Sequence, residues 1–330
     1  MFTISKPSVL VSFAHLKPQH VPMRGAGISE WVLDSGAYTA HNSGKVIRNE
    51  DFINFGLQAQ KKDPRLTCIF GLDVIGNPEK SLENALAAKK AGLNVIPTWH
   101  VGEPLEFAQE MAKQFDRLAL GGLVARLANN RAQLFDTATK LHHATKFFGA
   151  VWPKWIHGFG CTAEVLMTEL PFAATDSTTW TVSPTMYGFW KSFGFLPLRL
   201  TKDTKDCLRT EVDWFMDREA LHDAQWRNEL KKVKCDRFRI RLACSVSNVR
   251  DVSMMFAPEE DTLITRLADQ ALEEKEKPKT KTTDALDEQE ETDDMLSPAP
   301  KKKPVELTNS EYKYADYWER RGITKNLVKD

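Results

Sequence analysis

No apolar run in the chain approaches the roughly 20 residues that cross a bilayer, and the opening "MFTISKPSVLVSF" lacks a small-residue cleavage site behind a basic stretch. Neither a membrane span nor a secretory leader is expected. Net charge is absent too, 45 Lys and Arg standing against 45 Asp and Glu. A nucleic-acid partner must then be met by a local basic patch, because the molecule as a whole supplies no attracting field. Cysteine is scarce: Cys68, Cys161, Cys207, Cys235 and Cys244 are odd in number, scattered, and include no CxC or CxxC. That spacing argues against a disulfide framework and suits a reducing compartment, the cytoplasm. No GxGxxG follows the first apolar run and no Walker loop occurs, so no motif supports a nucleotide cofactor.

What is present is enough apolar material, 42% of 330 residues, to bury one large core with an appendage. From Ser8 to about Ser183, short apolar runs alternate with longer amphipathic ones. The short runs, "VLVSFAH", "WVLDS", "LTCIFGLDV", "NVIPTWH", "RLALGGLV", "KWIHGFG" and "PFAATD", are rich in β-branched or aromatic residues and read as strands. Between them, helices are expected over Asn49 to Lys62, Pro78 to Ala91, Pro104 to Phe115, Asn129 to Lys146 and Thr162 to Leu170. Repeated strand-then-helix order implies a parallel sheet with helices packed outside.

An eightfold barrel and an open doubly wound sheet both satisfy that order, and the polar residues favour the barrel. The runs end in Asp34, Asp73, His100, Gly121 with Gly122, His157 with Gly158, and Asp176. A barrel gathers all those ends on one rim, whereas an open sheet uses only those beside its crossover point. The expected fold is therefore α/β, a TIM-type (β/α)8 barrel over residues 1–205, with "TMYGFWKSFGFLPLRL" a candidate for the eighth strand. Residues 206–272, with a helical stretch from Val212 to Val233 and an alternating "FRIRLACSVSN", are expected to form an α+β part packed on the barrel. Residues 273–304, mostly Lys, Glu, Asp, Thr and Pro, cannot repay their ordering entropy and are expected to be a disordered charged linker. The aromatic "YKYADYWERRGI" in 305–330 suits a short docking segment.

A carboxylate closing a strand serves either as a turn cap or as a catalytic group. Asp34 in "LDSGAYT" and Asp176 in "ATDSTT" are two such carboxylates on different strands, the arrangement that double displacement at a sugar carbon needs. Taken in order, "WVLDSGAYT", "IFGLDVIGNPEKSLENA", "LALGGLV" and "WIHGFGCTAEVLMTELPFAATDSTTW" resemble the tRNA-guanine transglycosylase superfamily, and more closely its DNA-acting branch, the DpdA-like 7-deazaguanine transglycosylases of bacteria and phages. The resemblance covers roughly the first 185 residues. It implies that Asp176 is the nucleophile forming a covalent sugar intermediate and that Asp34 handles protons. It places Asp73 against the flipped base, Gly121 and Gly122 in a loop whose backbone touches that base, and His100 where the family often has an amide side chain. Ser35 and Gly36 in the turn after Asp34, and His157, Phe159 and Gly160 in "HGFG", complete the expected substrate site.

A base must leave the stack to react, and Tyr38, Phe159 and Trp180 are candidates to stack on it. Arg126, Arg131, Lys191 and the alternating Arg237, Arg239 and Arg241 are candidates for phosphates. The partners implied are DNA and a free 7-deazaguanine base, with tRNA the alternative acceptor and a non-catalytic nucleic-acid-binding barrel the alternative of another class. The location implied is the cytoplasm, that of the host if the source is viral. No cofactor is expected. The tRNA-acting relatives carry a cysteine-rich zinc site, whereas Cys207, His222, Cys235 and Cys244 are spaced poorly for zinc, a departure that favours the DNA-acting branch.

Overall fold

A computed structural model describes residues 6–256 apart from 24, 26, 125–129, 162, 183–188, 191–195 and 198–203. The chain divides into two units, Met1–Lys277 and Pro278–Asp330, and every described residue belongs to the first. The expected linker 273–304 and docking segment 305–330 lie outside the described residues. Among the described residues no helix is long and apolar enough to cross a membrane.

Strand β1 (Ser8–Ser12) leads through two short 3-10 turns to β2 (Glu30–Asp34), which is followed by helices α1 (Ala37–Ser43) and α2 (Asn49–Lys62). Then come β3 (Leu66–Phe70), α3 (Pro78–Lys90), β4 (Val95–Ile96), β5 (Thr98–His100), α4 (Leu105–Gln114), β6 (Arg117–Gly121) and α5 (Asn130–Val151). The chain continues as β7 (Trp155–Gly158), α6 (Glu164–Glu169), β8 (Ala174–Ser177) and α7 (Thr179–Val182). A two-stranded antiparallel sheet follows, β9 (Phe189–Trp190) with β10 (Leu196–Pro197), and then α8 (Thr204–Lys232), β11 (Arg239–Cys244) and α9 (Val246–Phe256). The start of α3 shows the local logic: Asn77 Oδ1 accepts the Lys80 amide at 3.0 Å while Pro78 sits at the first helical position, where its missing N–H costs nothing.

The main sheet has nine hydrogen-bonded segments in the order β4-β3-β2-β1-β11-β8-β7-β6-β5, every pair parallel. Its two outermost members, β4 and β5, are separated only by Pro97. Proline has no amide to donate, so the pairing with β3 stops at Ile96 and the pairing with β6 opens at the Pro97 carbonyl, which accepts the Ala119 amide at 2.8 Å. Counting β4 and β5 as one interrupted strand leaves eight, and the sheet curls into the expected barrel.

The eighth member is β11, which pairs with β1 on one side and β8 on the other. The barrel therefore does not end at residue 205. "FRIRLAC", expected in an appended α+β part, closes the ring: Ile240, Leu242 and Cys244 on one face join the outer core, and Arg241 on the other is taken into the interior beside Glu30. The alternative eighth strand, "TMYGFWKSFGFLPLRL", falls mostly outside the described residues, and its described pieces pair only with each other as β9 and β10.

Strand alternation separates two cores. Leu10, Val32, Cys68, Phe70, Ile96, Ala119 and Ala243 form the small cluster inside the barrel, while Val9, Val11, Trp31, Leu33 and Ile69 face outward into the larger cluster beneath the helices. Buried Asp63 ties the entry loop to that outer layer. Its Oδ2 accepts the Met23 amide at 2.9 Å and the Trp31 indole N–H at 3.0 Å, and its Oδ1 accepts the Arg65 amide at 3.0 Å. Truncating a buried, multiply bonded charge leaves its donors unpaired, so Asp63→Ala is expected to destabilise the fold by about 3 kcal/mol, read as a lower urea midpoint at unchanged m-value.

Candidate active site

Three carboxylates meet at the C-terminal rim of the barrel. Asp34 ends β2, and the chain then turns sharply through Gly36, whose φ of 80° lies in the left-handed region. A Cβ at Gly36 would stand 2.8 Å from the Ala14 methyl, so only glycine fits the turn. That turn aims the Gly36 amide at Asp34 Oδ2, 3.1 Å away. Burial, the fields of Asp73 and Asp176, and only partial compensation from this amide push the Asp34 carboxyl up to about 7 from 3.8. Asp34 and Asp176 thus share one electrostatic environment, although β1 and β11 lie between their strands.

Asp73 follows β3 and is gripped at both oxygens. Ser35 Oγ donates to Oδ1 at 3.2 Å, and His100 Nε2 lies 3.2 Å from Oδ2. His100 also stands 3.5 Å from Glu103 through Nδ1, and its own backbone amide donates to Glu103 Oε2 at 2.9 Å. Burial would discharge this imidazole, but hydrogen bonds and the charges of Asp73 and Glu103 outweigh it and hold the group up at about 9. At neutral pH His100 is an imidazolium. The ring lies against Gly121, where a Cβ would come within 2.4 Å of it, so the glycine is needed for the close approach of His100.

Among the described residues, Asp176, on β8, is held at Oδ1: His157 Nε2 and the Gly160 amide each lie 3.0 Å from it. Behind His157 the chain of contacts continues into the barrel. Arg241 Nη1 donates to His157 Nδ1 at 3.3 Å, Arg241 Nη2 lies 3.6 Å from Glu30 Oε1, and Ser8 Oγ donates to the same oxygen at 2.9 Å. Burial, helped by the Arg241 charge and opposed by Asp176, drives His157 down to about 4, so it is neutral. Phe70 and Phe159, with ring centroids 4.6 Å apart, flank His157 at 4.5 and 4.8 Å and form an apolar wall beside the carboxylates.

The structure thus brings together Asp34, Ser35, Gly36, Asp73, His100, Gly121, His157, Phe159, Gly160 and Asp176. Gly122 follows directly with φ 80°. Ser35 is fully buried and braces Asp73 rather than facing the cleft. Tyr38 is 69% exposed on α1, open to a ligand. Trp180 is not: it is 1% exposed in the outer core and its indole donates to the Ala243 carbonyl at 3.0 Å, so the expected stacking face is buried.

The arginine stripe also needs correction. Arg241 is buried inside the barrel, and Arg239 and Arg237 pair with Glu219 at 3.3 and 2.6 Å near the opposite, N-terminal end of β11. A barrel strand hides alternate residues, so the stripe offers no phosphate-binding face at the rim. Arg126 and Lys191 lie outside the described residues, as does the Arg131 side chain. His222 is buried on α8 with Nε2 3.6 Å from Glu164. The Cys207 side chain is not described. Glu30, Glu103 and the inward role of Arg241 escaped the sequence reading, although Glu30 shares the strand face of Asp34 and a parity count exposes it.

Two surface cavities, of about 200 Å³ beside Asp223 and Arg227 and about 340 Å³ beside Asn94 and Arg117, contain none of these residues. The convergent carboxylates, and not these surface cavities, mark the candidate site, because groups with displaced proton affinity cluster at functional sites. No protein-family model matches the chain, and no curated protein is significantly similar to it.

The unfolded chain releases the Asp34 proton near 3.8, whereas the folded chain keeps it to about 7. Folding therefore takes up a proton between those values, and the Asp34 contribution to stability falls as pH rises across that window. Asp34→Asn removes the penalty. At pH 8 its melting temperature is expected to exceed wild type by at least about 2 °C, and the difference should vanish as the pH approaches 4; an advantage independent of pH would show that the carboxyl is not held protonated.

Proposed function

We propose that this chain is a transglycosylase that exchanges guanine in DNA for a free 7-deazaguanine base through a covalent aspartyl-sugar intermediate. One observation carries the reading. A carboxyl that keeps its proton to near neutrality, Asp34, shares one barrel rim with a second carboxylate, Asp176, anchored at Oδ1 by His157 and the Gly160 amide.

In the first half-reaction a carboxylate oxygen of Asp176 forms a bond to C1′ of the nucleoside. The C1′–N9 bond breaks, its electron pair leaves with guanine, and Asp34 delivers its proton to the departing base. In the second half the N9 proton of the incoming 7-deazaguanine passes to the Asp34 carboxylate. N9 then bonds to C1′, and Asp176 is released as a carboxylate. Two inversions give net retention. Electrons and protons balance without an external reductant. A group poised near neutrality suits both directions of proton transfer, and Asp34 is so poised.

The surroundings support a flipped purine. Asp73 already accepts from Ser35 and His100, but a carboxylate has about four lone-pair sites, and those remaining can take N–H donors from the edge of a base. Phe159 and exposed Tyr38 are the aromatic faces at hand. DNA as acceptor follows from the resemblance and from the absence of closely spaced cysteines in the sequence.

Labelled 7-deazaguanine is expected to enter duplex or single-stranded DNA in preference to tRNA, with a protein–DNA adduct on a denaturing gel when the free base is withheld. Asp176→Asn should lower transfer by at least ~10³-fold. Undiminished transfer in that variant, or none in wild type, would remove the proposal, and preference for tRNA would move it to the other acceptor. Because adduct formation uses the protonated form of Asp34, its rate should fall about tenfold per pH unit above about 7.

A further inference from the structure

Inside the barrel, beneath the rim, lies a polar chain that the reaction steps above do not use. It runs from Ser8 and Glu30 through Arg241 and His157 to Asp176, crossing an interior otherwise lined by Leu10, Val32, Phe70, Ile96 and Ala243. Replacing a buried ion pair by packed apolar residues is often neutral or stabilising, so stability alone is a weak reason for this one.

The direction of the chain follows from donor chemistry. A guanidinium has only N–H donors and does not lose its proton. Arg241 Nη1 at 3.3 Å from His157 Nδ1 therefore requires that Nδ1 be the acceptor. The imidazole proton then sits on Nε2, 3.0 Å from Asp176 Oδ1. Trp155 keeps both groups in register: its ring is stacked on that of His157, tilted by only 9°, and the Arg241 guanidinium lies 5.7 Å over its face. Glu30 neutralises the guanidinium. Burial pushes that carboxyl up, but the Arg241 charge and hydrogen bonds from Thr67 and Ser8 hold it below its ordinary range.

We propose that Glu30 and Arg241 are positioning residues for the nucleophile, fixing His157 as the Nε2–H tautomer so that Asp176 is tethered by Oδ1 and attacks through Oδ2. The proposal rests on the reading of Asp176 as the nucleophile. In the serine hydrolase triad a carboxylate orients a histidine for its nucleophile; here a histidine, itself oriented by an arginine, orients the carboxylate. His157 touches Asp176 from β7, Arg241 touches His157 from β11, and among the described residues the other rings packed on it, Phe70, Phe159 and Trp155, carry no charge.

The test separates the tether from the reaction. Long-range 1H–15N spectra of histidine-labelled full-length protein report which ring nitrogen carries the proton, whether or not the protein turns over. Wild-type His157 is expected to show a protonated Nε2 and an unprotonated Nδ1 from pH 5.5 to 8.5. In Arg241→Met the resonance should shift to a mixture of tautomers, with a protonation midpoint at least one pH unit higher than in wild type. A wild-type ring protonated at Nδ1, or a ring unchanged in Arg241→Met, overturns the proposal. Should Arg241→Met fail to fold, Glu30→Gln and the wild-type spectrum alone still decide it. With transfer activity in hand, Arg241→Met should lower kcat on the order of 10²-fold while leaving the KM for the free base within about twofold, and an equal loss in both would mark the pair as structural. Correct tautomers without any base transfer would uphold the tether and reject the reading of the reaction.

Discussion

β11 is hydrogen-bonded between β1 and β8, and on that insertion the geometry of the site depends. Without it β1 and β8 would be the two edges of an open sheet, with Asp34 one strand in from the first and Asp176 on the second. With it the strands form a ring, and the ends of β2, β3, β5, β7 and β8 face a common opening. The same strand carries Arg241 into the interior at the register of Asp176, so one element both closes the barrel and supplies the base of its polar chain. Closure at the other seam depends on Pro97, which divides one strand into two short ladders facing β3 and β6.

The interior is divided by depth. Near the N-terminal end, Glu30, Arg239 and Arg241 form an ion-pair cluster over Trp155 and Cys68. Higher up, Leu10, Val32, Phe70, Ile96 and Ala119 make a short apolar layer. Asp34 and Asp73 follow the ends of β2 and β3 above that layer, whereas Asp176 is in register with Arg241 and reaches it through His157. Burial at the rim raises the proton affinity of Asp34 directly, with the charges of Asp73 and Asp176 adding to it, whereas at His100 the hydrogen bonds and charges of Asp73 and Glu103 overcome burial.

Much of this was legible in the sequence. Strand-then-helix alternation with a polar residue closing each run is a barrel signature, and the helix over Asn49–Lys62 was bounded as the structure has it. Legibility failed where periodicity alone carried too little. Arg237, Arg239 and Arg241 at alternate positions look like a basic stripe on an exposed strand, and nothing local reveals that the strand is the last member of a closed ring. Trp180 fails for a similar reason: an aromatic residue just past a catalytic-looking aspartate suits a binding wall and an outer core equally well, and the Ala243 carbonyl that claims its indole N–H is 63 residues away. Glu30 was recoverable. Once Asp34 is taken as inward-facing, the two-residue period of a strand turns Glu30 inward as well.

The arrangement also accounts for which carboxyl keeps the proton. Three carboxylates within one another's fields cannot all be ionised without cost, and each meets that cost differently. Asp73 has the imidazolium of His100 beside it. At Asp176 the neutral His157 and the Gly160 amide point two donors at one oxygen. Asp34 has a single amide, that of Gly36, and feels the charges of both others. Burial and those two charges outweigh the Gly36 amide and the Ser12 hydroxyl, so Asp34 keeps its proton to about 7. On the proposed reading, the acid and the nucleophile would then be distinguished by their partners and not by residue type, since both are aspartates on parallel strands of one barrel.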